Sequence, residues 1–213
     1  MKNNKLKNRN STKIDVTPWS PRDVTYYGPL TRELCFWGPV NYESSLSIIS
    51  QLKELEAIDP KSPITLNINT EGGSLSDAYA VYDTLRSIDC PIITIATGMC
   101  ASAGLALLTA GDYRFASQNT IFFYHQTILD GNSLNSLEAS EATHQAYEMC
   151  HTLYDRTIIE NTKMTLSNWN ENFKNRTVKY FDAKEALKYG FIDDIIKNTR
   201  FKLIKEKSNG FKR

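Results

Sequence analysis

Two hydrophobic periods alternate along this chain, and the handover from one to the other repeats. Leu34 to Val40 (LCFWGPV) is a short apolar run stopped by Gly-Pro, which predicts a buried strand. Asn41 then stands as a cap before Leu46, Ile49, Leu52 and Leu55, which recur at helical spacing. Pro63 to Asn69 (PITLNIN) returns to strict alternation, a strand, and Thr70-Glu-Gly-Gly-Ser turns it into a helix with Ala78, Val81, Tyr82, Leu85 and Ile88 on one face. A β-branched run of Ile92, Ile93 and Ile95 follows, bounded by Pro91 and Gly98, and the apolar stretch after Ser102 predicts a helix ending near Gly111. Strand, turn, helix and strand in that order predict an α/β fold with parallel strands and right-handed crossovers.

Beyond Gly111 the pattern loosens. Asp112 to Asn119 reads as a turn, and Ile121 to Tyr124 as a strand that delivers His125. From about Asn132 to Thr162 no Gly or Pro interrupts the chain, and Ala142, Ala146, Met149 and Leu153 sit at helical spacing, so a long projecting helix is predicted. His144 and His151 lie on it and read as surface side chains. Leu166 to Phe173 predicts a further short helix, and the loop from Asn172 to Lys179 follows it. Asp182-Ala-Lys-Glu185 opens another helix in the manner of a capping box, Gly190 closes it, and Phe191 to Ile196 reads as the last strand. Residues 1–23, rich in Lys, Asn and Pro, predict a flexible arm, 24–198 one domain, and 199–213 a lysine-rich tail.

Composition narrows the function classes. A chain of 213 residues with 41% hydrophobic content can fill one ordinary core. Its 25 Lys and Arg against 24 Asp and Glu leave a net charge of +1, which gives no general pull toward nucleic acid or a membrane surface. Cys35, Cys90, Cys100 and Cys150 are scattered without CxxC spacing, which argues against a disulfide framework and a zinc site and predicts a reducing, cytoplasmic setting. No run is long enough to span a bilayer. Gly72 and Gly73 precede a helix, as phosphate-loop glycines do, but neither GKS/T nor GxGxxG follows, so no nucleotide or other cofactor is expected.

The chemistry concentrates at Ser102, placed where an apolar strand turns into a helix. Such a serine reads either as an N-cap or as a nucleophile lying beside unpaired main-chain N–H groups. His125, at the end of a strand, is the partner a serine nucleophile needs, because a hydroxyl attacks only when a neutral imidazole takes its proton.

Taken in order, G-P-V, N-I-N-T-E-G-G-S, A-Y-A-V-Y-D-T-L, G-M-C-A-S-A-G, L-L-T-A-G, R-F-A, Y-H-Q and A-K-E-A-L-K-Y-G-F-I-D resemble ClpP, the proteolytic subunit of the Clp protease, over roughly Arg32 to Ile196. The resemblance implies the crotonase-like fold of repeated β-β-α units with a handle helix at about 132–162, and self-association in stacked heptameric rings, a tetradecamer. It implies Ser102 as nucleophile, His125 as general base, and the N–H groups of Gly73 and Ala103 as the oxyanion hole, acting on peptides or unfolded proteins. It also implies an AAA+ Clp ATPase as partner.

The sequence departs from the family at two places. Counting back from Ala183 and Gly190, the position of the family's triad aspartate is Val178, which cannot accept a hydrogen bond, so Asn175 or Thr177 is the candidate third member and Asp182 reads as a helix cap. Thr65 and Asn67 stand where the family has the tyrosines of its ATPase-docking pockets. Three readings follow: a Ser-His endopeptidase, a catalytically silent ring subunit, and a crotonase-fold thioester enzyme or Ser-Lys protease. No lysine adjoins Ser102 in sequence, which weighs against the Ser-Lys form of the third.

Overall fold

Leu34 and Phe36 are buried completely, and the strand that carries them, β1 (Glu33–Trp37), lies parallel to β2 (Ile64–Thr70), which alternates buried and half-exposed residues along its whole length. Between them runs α1 (Tyr42–Ile58), started by a reciprocal capping box of Asn41 and Ser44. Its buried face is Ser44, Ser45, Ile48, Leu52 and Leu55, while Leu46 is exposed, so the inward stripe is rotated from the predicted one. The second crossover, α2 (Leu75–Ser87), is capped by Ser74 and buries Ala78, Val81 and Leu85. The computed structural model that gives this architecture describes residues 31–126, 137–176 and 178–197. The predicted arm, the first residues of the predicted long helix, Thr177 and the lysine-rich tail lie outside them.

β3 (Ile92–Ala101) is the axis of the molecule. The sequence places its end at Gly98, but the strand continues through that glycine for three more residues. In its first half β3 pairs with β4 (Tyr113–Ser117), and in its second half it pairs with β5 (Ile121–His125). Gly98, at φ +70, is the pivot: Asn69 Oδ1 accepts from Met99 N–H at 2.9 Å and lies 2.7 Å from where a Cβ on Gly98 would sit. Only glycine leaves room for that side chain and takes that φ without strain.

The segment predicted as a turn after Gly111 therefore contains a strand, β4, whose Arg114 and exposed Tyr113 conceal the alternation. After β5 come the long helix α4 (Leu137–Glu160), a short helix α5 (Leu166–Trp169) that continues as a π-turn (Asn170–Lys174), and β6 (Val178–Asp182). The sequence reads as loop and helix cap where β6 lies; the strand pairs antiparallel with β5, the one antiparallel pairing among the described residues. α6 (Ala183–Tyr189), closed by Gly190 at φ +83, and β7 (Asp194–Ile196) complete a seven-stranded sheet among the described residues.

Alternation along β5 sets the site. Phe122 and Tyr124 point inward, where Tyr124 meets Trp169 (ring centroids 5.1 Å) and Phe173 (5.5 Å), and Phe122 stacks on Phe181 at 5.2 Å. Burial of these aromatics, about 1.5–3 kcal/mol for a phenylalanine side chain, fixes the strand. Phe123 and His125 consequently share the other face, with Phe123 stacked on Tyr180 of β6 at 4.2 Å.

Candidate active site

Ser102 joins β3 to the short helix α3 (Ala103–Thr109) at φ 52, ψ −122, a main-chain conformation that L-residues avoid. Three main-chain and side-chain bonds hold it there. Its N–H donates to the Phe123 carbonyl at 2.8 Å, and its own carbonyl accepts from Leu105 N–H and from the Tyr154 hydroxyl, both at 2.9 Å. The side chain makes no capping bond, so although Ser102 occupies the cap position its hydroxyl is not spent on the helix. Backbone strain maintained at a reactive side chain, with that side chain unused by the local structure, is the pattern of a functional residue.

The neighbouring T-E-G-G turn packs directly on this elbow. A Cβ on Gly72 would lie 2.7 Å from Ser102 Cβ and 2.9 Å from the Ala101 carbonyl, so that contact requires glycine. Gly73 forms a parallel bridge with Val40, built from Val40 N–H to Gly72 O and Ser74 N–H to Val40 O, each 2.8 Å. The N–H of Gly73 itself is turned away from that bridge. A cleft of about 290 Å³ opens there, lined by Gly73, Leu75, Ser102, Ala103, His125 and Tyr154 among others. No lysine lines it.

His125 arrives from β5 with Nδ1 2.6 Å from the main-chain oxygen of Gln126. Gln126 in turn donates its side-chain amide to the Lys174 carbonyl at 2.9 Å, at the end of the π-turn. In the β5–β6 ladder the residue directly opposite His125 is Val178, exposed and on the same face. A carboxylate at that position would stand beside the imidazole; a valine offers it no acceptor. Asp182 lies opposite Ile121, at the far end of β6, and its carboxylate accepts from Lys184 and Glu185 N–H at 2.9 Å each. It is therefore a helix cap.

Of the residues singled out in the sequence, the cleft gathers Ser102, His125, Gly73 and Ala103. Asn175 ends the π-turn with its side chain exposed and does not line the cleft, and Thr177 lies outside the described residues. His144 is exposed as expected, but His151 is buried: its Nε2 lies 3.6 Å from Asp155 one helical turn on, and Lys174 reaches the same carboxylate at 3.1 Å. The spacing of four between His151 and Asp155 was the available signal. No group of side chains suited to hold a metal ion occurs among the described residues.

Two contributors are not legible as such. Tyr154 looks like one more core position of α4, yet its hydroxyl anchors the elbow, and burial holds its phenol well above the ordinary range. Gln126 acts through its main-chain oxygen, which sequence does not mark.

Comparison with known proteins places this geometry. The Clp protease family model matches residues 21–199. The proteolytic subunit of the ATP-dependent Clp protease of Streptococcus mutans is 31% identical over 195 residues, 89% of this chain and 97% of that protein. The corresponding subunit of Lactococcus lactis is 30% identical over 197 residues (90% and 97%), and that of Bdellovibrio bacteriovorus 30% identical over 193 residues (89% and 91%). With a match that runs from before β1 to beyond β7 and relatives alike over nearly their whole length, this α/β chain belongs to the Clp protease family and is a ClpP-like peptidase.

Proposed function

We propose that the chain is a serine endopeptidase that hydrolyses peptide bonds of peptides or unfolded proteins through a Ser102 acyl-enzyme. The observation that carries this reading is the positive-φ elbow at Ser102, whose unused hydroxyl shares one cleft with His125. In the first half-reaction Ser102 Oγ attacks the scissile carbonyl carbon while His125 Nε2 takes the hydroxyl proton. The oxyanion is received by the N–H groups of Gly73 and Ala103, and each such donor is worth about 10²–10³ in rate. Collapse passes the proton from His125 to the departing amine; water, deprotonated by the same imidazole, then releases the acyl group and restores Ser102.

Family membership extends the proposal to stacked heptameric rings enclosing the cleft, formed by the single domain 24–198, and to an AAA+ Clp ATPase that feeds them in the cytoplasm. Thr65 and Asn67 lie half-exposed on the outer face of β2, so a docking pocket there lacks the tyrosines the family has at these two positions. Among the described residues no helix is long and apolar enough to cross a membrane.

The silent-subunit reading has one specific observation behind it, Val178 opposite His125. Labelling of the purified chain with a fluorophosphonate, read by intact mass with Ser102→Ala as control, separates the two. Adduct formation that vanishes in the variant supports the peptidase; an assembled, folded protein that takes up no probe establishes the silent subunit.

A further inference from the structure

We propose that the main-chain carbonyl of Gln126 replaces the triad carboxylate as the group that orients His125, and that Gln126 is a positioning residue for the catalytic base. The inference rests on the serine-peptidase reading and concerns how its imidazole is held. Nδ1 lies 2.6 Å from the Gln126 oxygen, just below the usual span of about 2.7–3.2 Å for an N–H···O bond. A carbonyl oxygen only accepts, so the bond places the neutral imidazole's single proton on Nδ1 and leaves the Nε2 lone pair to receive the proton of Ser102. An aspartate imposes the same tautomer in a Ser-His-Asp enzyme, where its replacement by asparagine reverses the tautomer and lowers kcat by about 10⁴-fold.

The carbonyl has to be fixed to do this, and the structure fixes it from its own side chain. Gln126 Nε2 donates to the Lys174 carbonyl at 2.9 Å, and Lys174 is itself tied to Asp155 of α4 at 3.1 Å. Residue 126 is thus clamped between the end of β5 and the π-turn, with its oxygen facing back to the ring that precedes it. A neutral acceptor supplies the tautomer and the ring angle without the full charge that steadies an imidazolium, because charge-assisted bonds are about twice as strong as neutral ones. The exposed valine opposite His125 follows from this: with Nδ1 already engaged, the position facing it is released from catalysis.

The test reads the tautomer directly. Magic-angle-spinning ¹⁵N spectra of full-length protein carrying ¹⁵N-histidine, taken at a pH where the imidazoles are neutral, resolve three histidines, and His125→Asn identifies the one that matters. The expected result is a protonated Nδ1 and an unprotonated Nε2 at His125; a protonated Nε2 in the unaltered protein overturns the proposal. Gln126→Ala should mix the tautomers and lower kcat about 10- to 100-fold with KM unchanged, part of the full tautomer effect. Val178→Asp should shift kcat less than about 3-fold in the unaltered protein yet recover most of the loss in the Gln126→Ala background, the non-additivity expected of two groups serving one nitrogen. Equal gains from Val178→Asp in both backgrounds would also overturn it. A protein whose Ser102 refuses the fluorophosphonate while His125 keeps its proton on Nδ1 would remove the peptidase reading and support the orientation.

Discussion

Under the proposed mechanism, Ser102 is the residue on which stability and activity pull in opposite directions. At φ 52, ψ −122 an L-residue carries strain of order 1–3 kcal/mol, whereas glycine adopts this conformation freely. Ser102→Ala, which removes the proposed nucleophile, leaves the strain in place. Ser102→Gly should unfold in urea at a higher midpoint, by about 1 kcal/mol over Ser102→Ala after the added unfolded-state entropy is allowed for. Equal midpoints would show that the elbow is unstrained. The serine, the histidine and the paired glycines were legible because their chemistry is in their side chains, or in the lack of one. Val178 was legible by counting, and the ladder puts it opposite His125. The carbonyl of Gln126 was not, since every residue carries one and only the fold says which is aimed at a ring nitrogen.

At the scale of elements, α4 is the structural partner of the site rather than a free projection over its last turns. Tyr154 reaches the Ser102 carbonyl, Tyr79 of α2 donates to Thr157 at 2.9 Å, and Asn161 just beyond the helix donates to Tyr82 at 3.0 Å. Burial pushes the Tyr79 phenol up to about 12, and burial likewise raises Tyr124 and Tyr154. A phenol whose value is raised in the folded state stabilises fully below its unfolded value near 10, and that contribution fades as pH climbs through the folded value. Stability should therefore hold to about pH 10 and fall steeply between roughly 10 and 12. Spectrophotometric titration of the eleven tyrosines should show a late fraction that ionises only as far-UV circular dichroism is lost. A smooth titration with the helix intact would contradict these burials.

The elements that sequence missed share a physical cause. β4 shows one buried residue, Ala116, and β6 shows one, Phe181, so neither presents the hydrophobic alternation that signals a strand. Each is specified by its neighbours, β4 by the first half of β3 and β6 by β5. The long run of β3 was cut short at Gly98 for the opposite reason: a residue that usually punctuates a strand here lets one strand serve two partners.

At the scale of the whole molecule, the far side of α4 carries Met149, 74% exposed, beside exposed Cys150. Under the proposed assembly this is the face that joins the rings. Met149→Lys should then halve the sedimenting mass, from stacked rings to single ones, without changing the circular dichroism. The thiols give an independent readout, because Cys100 is fully buried with its thiol pushed up by that burial, whereas Cys150 is open in the monomer. Cys150 should react with iodoacetamide quickly in the dissociated chain and slowly in the assembled one; equal rates would place the ring contact elsewhere.

The bond from Tyr154 to the Ser102 carbonyl spans 52 residues, and the clamp on Gln126 comes from Lys174, 48 residues further on. Under the proposed mechanism the serine and the histidine are synthesised before Tyr154 and Lys174, the groups that hold them. A nascent chain, or one broken off early, holds a serine hydroxyl with no frame around it and poses no threat to the unfolded chains beside it. Under the proposed mechanism timing supplies a safeguard of its own: the cutting centre is completed only once α4 and the π-turn have been made.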